Sequence, residues 1–225
     1  MSEYEPSLQD LKTIYQNDLY AFAKHGLGYK DLTIQTHDPI ASLLMGPSKK
    51  KLIVVPRGCF KSTLCSISYP IWLLINDFNH RILLDSELYS NSSKFLREIK
   101  GHLTSKHMTD LFGEFYSDVN WRDGELTIKQ RTKVFKESSI TCSGIGAQKT
   151  SQHYDTIIAD DLNSLDNSQT PELREKVLSH FKMYISLLEP GGKLIVVATR
   201  YAEQDVVGYI LDSENQDQKK TGLVY

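Results

Sequence analysis

The chain has little cysteine and no cysteine pattern. Its three cysteines, Cys59, Cys65 and Cys142, show no C-x-x-C spacing and no accompanying Cys/His cluster. That count offers no disulfide framework and fits a reducing compartment. Long apolar runs are also missing. The most apolar stretch, Ile67 to Ile75, is interrupted by Ser68, Tyr69 and Pro70 and is too short to span a bilayer. The first ten residues, MSEYEPSLQD, are acidic and polar, unlike a signal peptide. Neither sign of charge dominates: 26 Lys+Arg stand against 28 Asp+Glu, a formal net charge of -2. A uniformly basic protein that coats nucleic acid is thereby excluded, although a local basic patch is not. No internal repeat, low-complexity tract or clear linker is present.

What is there is an ordinary globular composition, 40% hydrophobic and 24% charged over 225 residues. That length suits one large domain or two small ones, and its core needs no disulfides. Residues 6–23 predict an amphipathic helix capped by Ser7 with Asp10 three residues on. A short helix is expected over 39–45, followed by Lys49, Lys50 and Lys51, read as solvating the loop in preference to a nucleic-acid contact. Leu52 to Val55, Arg81 to Leu84, Thr156 to Ala159 and Leu194 to Ala198 are short apolar runs without alternation. Such runs predict strands buried on both faces of a parallel sheet. Helices are expected over 62–75, from Ser86 or Ser90 to about His102, over 171–188 with Pro171 at its first position, and from about Glu203. Leu126–Ile128 and Val134–Cys142 predict a hairpin or edge strands around a polar turn at 129–133. The alternation gives an α/β fold with a mostly parallel sheet flanked by helices.

In such sheets, ligands bind beyond the carboxyl ends of the strands. Three strands end in polar clusters there, and their convergence says more than any one of them. The first is Pro56-Arg57-Gly58-Cys59-Phe60-Lys61-Ser62-Thr63. It resembles a phosphate-binding P-loop, with Val55 and Phe60 in the two glycine positions of G-x-x-x-x-G-K-[ST]. Backbone N–H groups before a helix N-terminus would cradle phosphates, and Phe60 keeps its own. Lys61 would reach the β- and γ-phosphates, Ser62 would ligate Mg²⁺, and Thr63 would lie near the α-phosphate. Taken alone, the loop also reads as a strand-to-helix turn with a Ser cap. The second cluster, Asp160-Asp161, resembles the end of a Walker B strand. Asp160 would hold Mg²⁺ and Asp161 would polarise the attacking water. Adjacent carboxylates are costly without a nearby cation. The gap between the two clusters leaves room for the Arg81–Leu84 strand to lie between them in the sheet. The third cluster, Thr199-Arg200, would sense the γ-phosphate or simply end a strand. Cys59 reads as a small residue that fits the loop in preference to a reactive thiol at a helix N-terminus, and Trp72 and Trp121 as packing residues.

With these segments in place, the chain resembles the N-terminal ATPase domain of a phage large terminase, the DNA-packaging motor. The resemblance runs from about Ile34 to Leu211. It rests on KKLIVVPRGCFKSTL, RILLDSELYSNSSKFLREIK, SGIGAQKTSQHYDTIIADDL and GGKLIVVATRYAEQDVVGYIL. Many terminases carry P-R-G-x-x-K-S-T without the usual glycine before Lys, so the resemblance accounts for Phe60. It implies a P-loop NTPase of the additional-strand (ASCE) type that uses ATP and Mg²⁺. It also implies double-stranded DNA as cargo and a ring of five subunits. Portal protein and a small terminase subunit are the implied partners, in the host cytoplasm and on the procapsid. Arg57 matches a terminase arginine that contacts phosphates. Arg97, Arg122 and Arg131 are candidates for an arginine acting on a neighbour's ATP, and Gln35 and His37 for adenine contacts. The expected organisation is an ATPase domain over 1–211, with a helical lead-in over 1–33 and a polar tail or truncated linker over 212–225. A nuclease domain is expected to be absent, so ATP hydrolysis without DNA cleavage is expected. A helicase-like ATPase and a non-hydrolysing nucleotide-binding assembly module are the alternatives.

Overall fold

The computed structural model describes residues 6–147 and 151–221, with helix α8 described by its backbone alone beyond residue 213. Helices α1 (Leu8–Asn17), α2 (Leu19–Ala21, passing into a π-wound turn Phe22–Gly26) and α3 (Ile34–Met45) precede strand β1 (Lys50–Val54). A π-wound segment, Thr63–Ser68, leads into α4 (Tyr69–Asn76). Then come β2 (Ile82–Ser86), α5 (Tyr89–Leu103), α6 (Lys106–Phe112), β3 (Trp121–Arg122), β4 (Glu125–Leu126), β5 (Ile140–Gly144) and β6 (Tyr154–Asp160). The chain closes with α7 (Pro171–Leu187), β7 (Leu188–Ala198) and α8 (Val206–Thr221). Seven strands form one sheet in the order β1-β7-β6-β2-β5-β4-β3. Neighbours from β1 to β5 are parallel, and β4 and β3 extend the sheet antiparallel.

Alternate residues of each strand feed two cores, as a period of two requires. Leu84, Ile158, Ile195 and Val197 pack with the N-terminal helices, α4 and α5. Leu83, Ile157, Ala159, Leu194 and Val196 pack under α7 and α8. No helix among the described residues is long and apolar enough to cross a membrane.

Several expectations shift. The lead helix breaks at Asp18, whose carboxylate accepts from the Ala21 N–H and starts a new helix. Helix α3 begins at Ile34, not Pro39, because the His37 ring turns back to accept from the Thr33 N–H and caps the helix from within. Strand β1 lies at the sheet edge and Val54 is 46% exposed, so it is not buried on both faces. The strand between β1 and β6 is β7; β2, which the Arg81–Leu84 run foretold, lies beyond β6. Neither Ser86 nor Ser90 caps α5, whose N-cap is Leu88. Residues 127–139 are largely irregular, and β4 pairs directly with β5 from Ile140 on. Helix α8 continues to Thr221, past the point where a polar tail was expected. Lys51 is buried rather than solvated. Its ammonium donates to the Leu44 and Gly46 carbonyls at the end of α3, at 2.7 and 2.8 Å.

Candidate functional site

The sheet order sets the carboxyl ends of β1, β7 and β6 side by side. The loop after β1 turns sharply into the next helical segment, with Gly58 at φ +82° and Phe60 at φ +49°. Glycine adopts this region freely, whereas a side chain there costs about 1–2 kcal/mol. The Phe60 side chain is 43% exposed and meets the His37 ring edge-on, with centroids 6.3 Å apart. His37 is itself buried, and its Nε2 lies 3.1 Å from the Cys59 carbonyl oxygen. Both sides of this imidazole are therefore engaged, one by Thr33 and one by the loop, so His37 supports the loop. Gln35 stands exposed on the first turn of α3.

Lys61 is 6% exposed, and its ammonium donates to Asp161 Oδ1 at 2.7 Å and to Thr199 Oγ1 at 2.6 Å. One cation thus ties together the ends of all three strands. Asp161 has φ +46°, an uncommon conformation for a residue with a side chain, of the kind that concentrates at functional sites. It is held there by its own N–H on the Val197 carbonyl, and its Oδ1 also accepts from the Thr199 N–H. Arg57 stacks over the Tyr201 ring and donates to its hydroxyl, while Arg200 points to solvent.

Asp160 is 2% exposed. Its Oδ2 accepts from the Ser66 hydroxyl at 2.6 Å, and its Oδ1 is buried with no hydrogen-bond partner. Burial pushes its carboxyl up to about 6; the Ser66 and Ser62 hydroxyls pull the other way, Asp161 adds to the rise and Lys61 opposes it. Asp160 and Asp161 line a cavity of about 130 Å³ together with Ser62, Ser86, Asn91 and Lys94. An orphaned carboxylate oxygen beside a hydroxyl and a second carboxylate is an all-oxygen donor set, the kind that suits a small hard dication.

The helical segment that follows Ser62 and carries Ser66 is π-wound for a local reason. Pro70 has no N–H to give to the Ser66 carbonyl, and the Tyr69 N–H reaches back five residues to Leu64. The other predicted residues lie apart. Arg97 is exposed on α5. Arg122 is exposed on β3, 4.0 Å from Glu125. Arg131 is tied inward, donating to the Glu137 carbonyl at 2.7 Å and stacking on Phe135. Sequence reasoning missed Ser66 as a site neighbour and gave Tyr201 no role of its own beyond its place in the quoted segment. It also missed the buried pair of Asp85 and His180, 2.8 Å apart between β2 and α7. The i, i+4 spacing of Ser62 and Ser66 was the one signal that could have found Ser66. No protein-family model matches the chain.

Proposed function

We propose that this chain is a Mg²⁺-dependent ATPase, and that it serves as the ATPase domain of a phage DNA-packaging motor of the large-terminase kind. The observation that carries the ATPase reading is the Lys61 ammonium joined to Asp161 and Thr199, beside the orphaned oxygen of Asp160. The strand between β1 and β6 supports the additional-strand class. In this reading the backbone of Pro56–Phe60 and the side chains of Lys61 and Thr63 bind the phosphates, and Arg57 adds a second cation. Ser62 and Asp160 hold Mg²⁺, which when bound neutralises charge on the β- and γ-phosphoryl oxygens. Asp161, a carboxylate 37% exposed and fixed from two sides, orients the attacking water and takes up its proton. Thr199 touches both Lys61 and Asp161, so a change at the phosphates is felt at the end of β7 and passed through Arg200 and Tyr201 toward α8.

The motor assignment rests on the sequence resemblance. Double-stranded DNA is its cargo, portal and a small terminase its partners, and a ring of copies on the procapsid in the host cytoplasm its setting. Arg97 and Arg122, both exposed, are the better placed candidates to reach a neighbour's ATP. Turnover at high protein concentration tests the reading. Lys61→Ala and Asp161→Asn should each lose at least about 100-fold in kcat, on the order of a lost electrostatic or general-base group. Hydrolysis at the wild-type rate by both variants would overturn it.

A further inference from the structure

We infer that Ser66 is the positioning residue of the cation site: it fixes the Asp160 carboxylate so that Oδ1 faces the cavity. The inference rests on the reading of Asp160 as a cation ligand and extends it to a residue outside the phosphate-binding loop. Ser66 is 1% exposed and Asp160 2%, and the 2.6 Å contact has the length of a charge-assisted hydrogen bond. One carboxylate oxygen is pinned by this bond, and the other is left buried and unpaired. An arrangement that served stability alone would satisfy both oxygens, because an unmet buried acceptor costs about 1–3 kcal/mol.

Ser66 stands four residues beyond Ser62 on the π-wound segment, flanked by buried Cys65 and Ile67. With apolar side chains on either side, the Ser66 hydroxyl is the donor that reaches Oδ2. Without it the carboxylate loses the closer of its two hydroxyl neighbours, Ser66 and Ser62, and the direction of Oδ1 is held less firmly. Partners that orient a metal ligand from behind typically contribute 10–100-fold to metal affinity.

The test uses the full chain, with Mn²⁺ alone as the probe and its free fraction read by electron paramagnetic resonance. Ser66→Ala should weaken Mn²⁺ binding about 10–100-fold. Ser68→Ala should bind like wild type, since the Ser68 hydroxyl donates to the Thr63 carbonyl on the same segment and does not touch Asp160. Binding by Ser66→Ala within twofold of wild type overturns the inference, and so does an equal loss in Ser68→Ala. Asp160→Asn separates this from the underlying reading. If wild type and Asp160→Asn bind Mn²⁺ alike, the cation site itself is wrong. If Asp160→Asn loses binding and Ser66→Ala keeps it, only the role of Ser66 fails. Should Ser66→Ala not fold, Ser66→Cys keeps the shape, with a slightly larger atom and a weaker donor, and carries the same expectation.

Discussion

Replacing Asp160 by Asn should make the metal-free protein more stable at neutral pH while removing the proposed cation site. The gain follows from the burial of this carboxylate. Its proton affinity rises from an ordinary 3.8 to about 6, mainly through desolvation. A carboxyl raised on folding contributes stability that is fully present below the unfolded value. That stability is lost as pH climbs through the folded one. At pH 7.5 the charged form is buried at a cost on the order of 3 kcal/mol. Asparagine keeps the shape and the acceptor for Ser66 without the charge. Its amide N–H₂ group still lacks a full set of partners, so we expect about half the gain. For a chain of this size that is about 3–6 °C in Tm. The assay is thermal unfolding in EDTA at pH 7.5 and again near pH 4.5. The variant should melt higher at pH 7.5, and its advantage should shrink at pH 4.5 as wild-type Asp160 gains its proton. Mg²⁺ with ATP should raise the wild-type Tm and leave the variant's unchanged. A variant that melts at or below wild type in EDTA at pH 7.5 would refute the reasoning, as would an advantage that is undiminished at pH 4.5.

Two further outcomes follow from packing and charge. Arg81 is buried, with Asp155 and Glu189 each at 2.9 Å and Glu137 at 3.6 Å, so Arg81→Ala takes the shared cation from three carboxylates, leaving Asp155 only the backbone N–H of residue 81 and Glu137 the His153 N–H. Urea unfolding should show a loss of about 3–5 kcal/mol; a loss below about 1 kcal/mol would show that the network is solvated. A Cβ at Gly208 would sit 1.8 Å from the Glu203 carbonyl oxygen, and the Gly208 N–H caps on Asp205. Gly208→Ala should therefore push the turn after β7 out of place, with a drop of about 1–3 kcal/mol and weaker ATP binding through Thr199. Unchanged Tm and ATP affinity together would contradict this.

Much of the site was legible because it is local. A short apolar run that ends in charged residues is a statement about strand burial and strand direction, and both can be read residue by residue. Lys61, Asp160, Asp161 and Thr199 stand together where that reading placed them. What failed depended on neighbours distant in sequence. Lys51 looked solvated because nothing in its flanks announces the carbonyls of α3. His37 suggested a ligand contact, yet its ring caps one helix and braces a loop twenty-two residues on. The helix at Ile34 was missed because Pro39 resembles a first-turn residue, and in fact lies six positions into the helix.

The sequence by itself determined the α/β class, the alternation of buried strands with helices and the chemical character of three strand ends. Those follow from periodicity and side-chain type, which a chain carries before it folds. Only the tertiary structure decided that β7, not β2, lies between β1 and β6. Strand order is a property of packing, since any of the parallel strands buries equally well on paper. Only the structure, too, brought Ser66 to one oxygen of Asp160 and left the other free. That choice depends on how a proline nine residues past the lysine rewinds a helix, and the i, i+4 spacing of Ser62 and Ser66 does not by itself state which oxygen is taken.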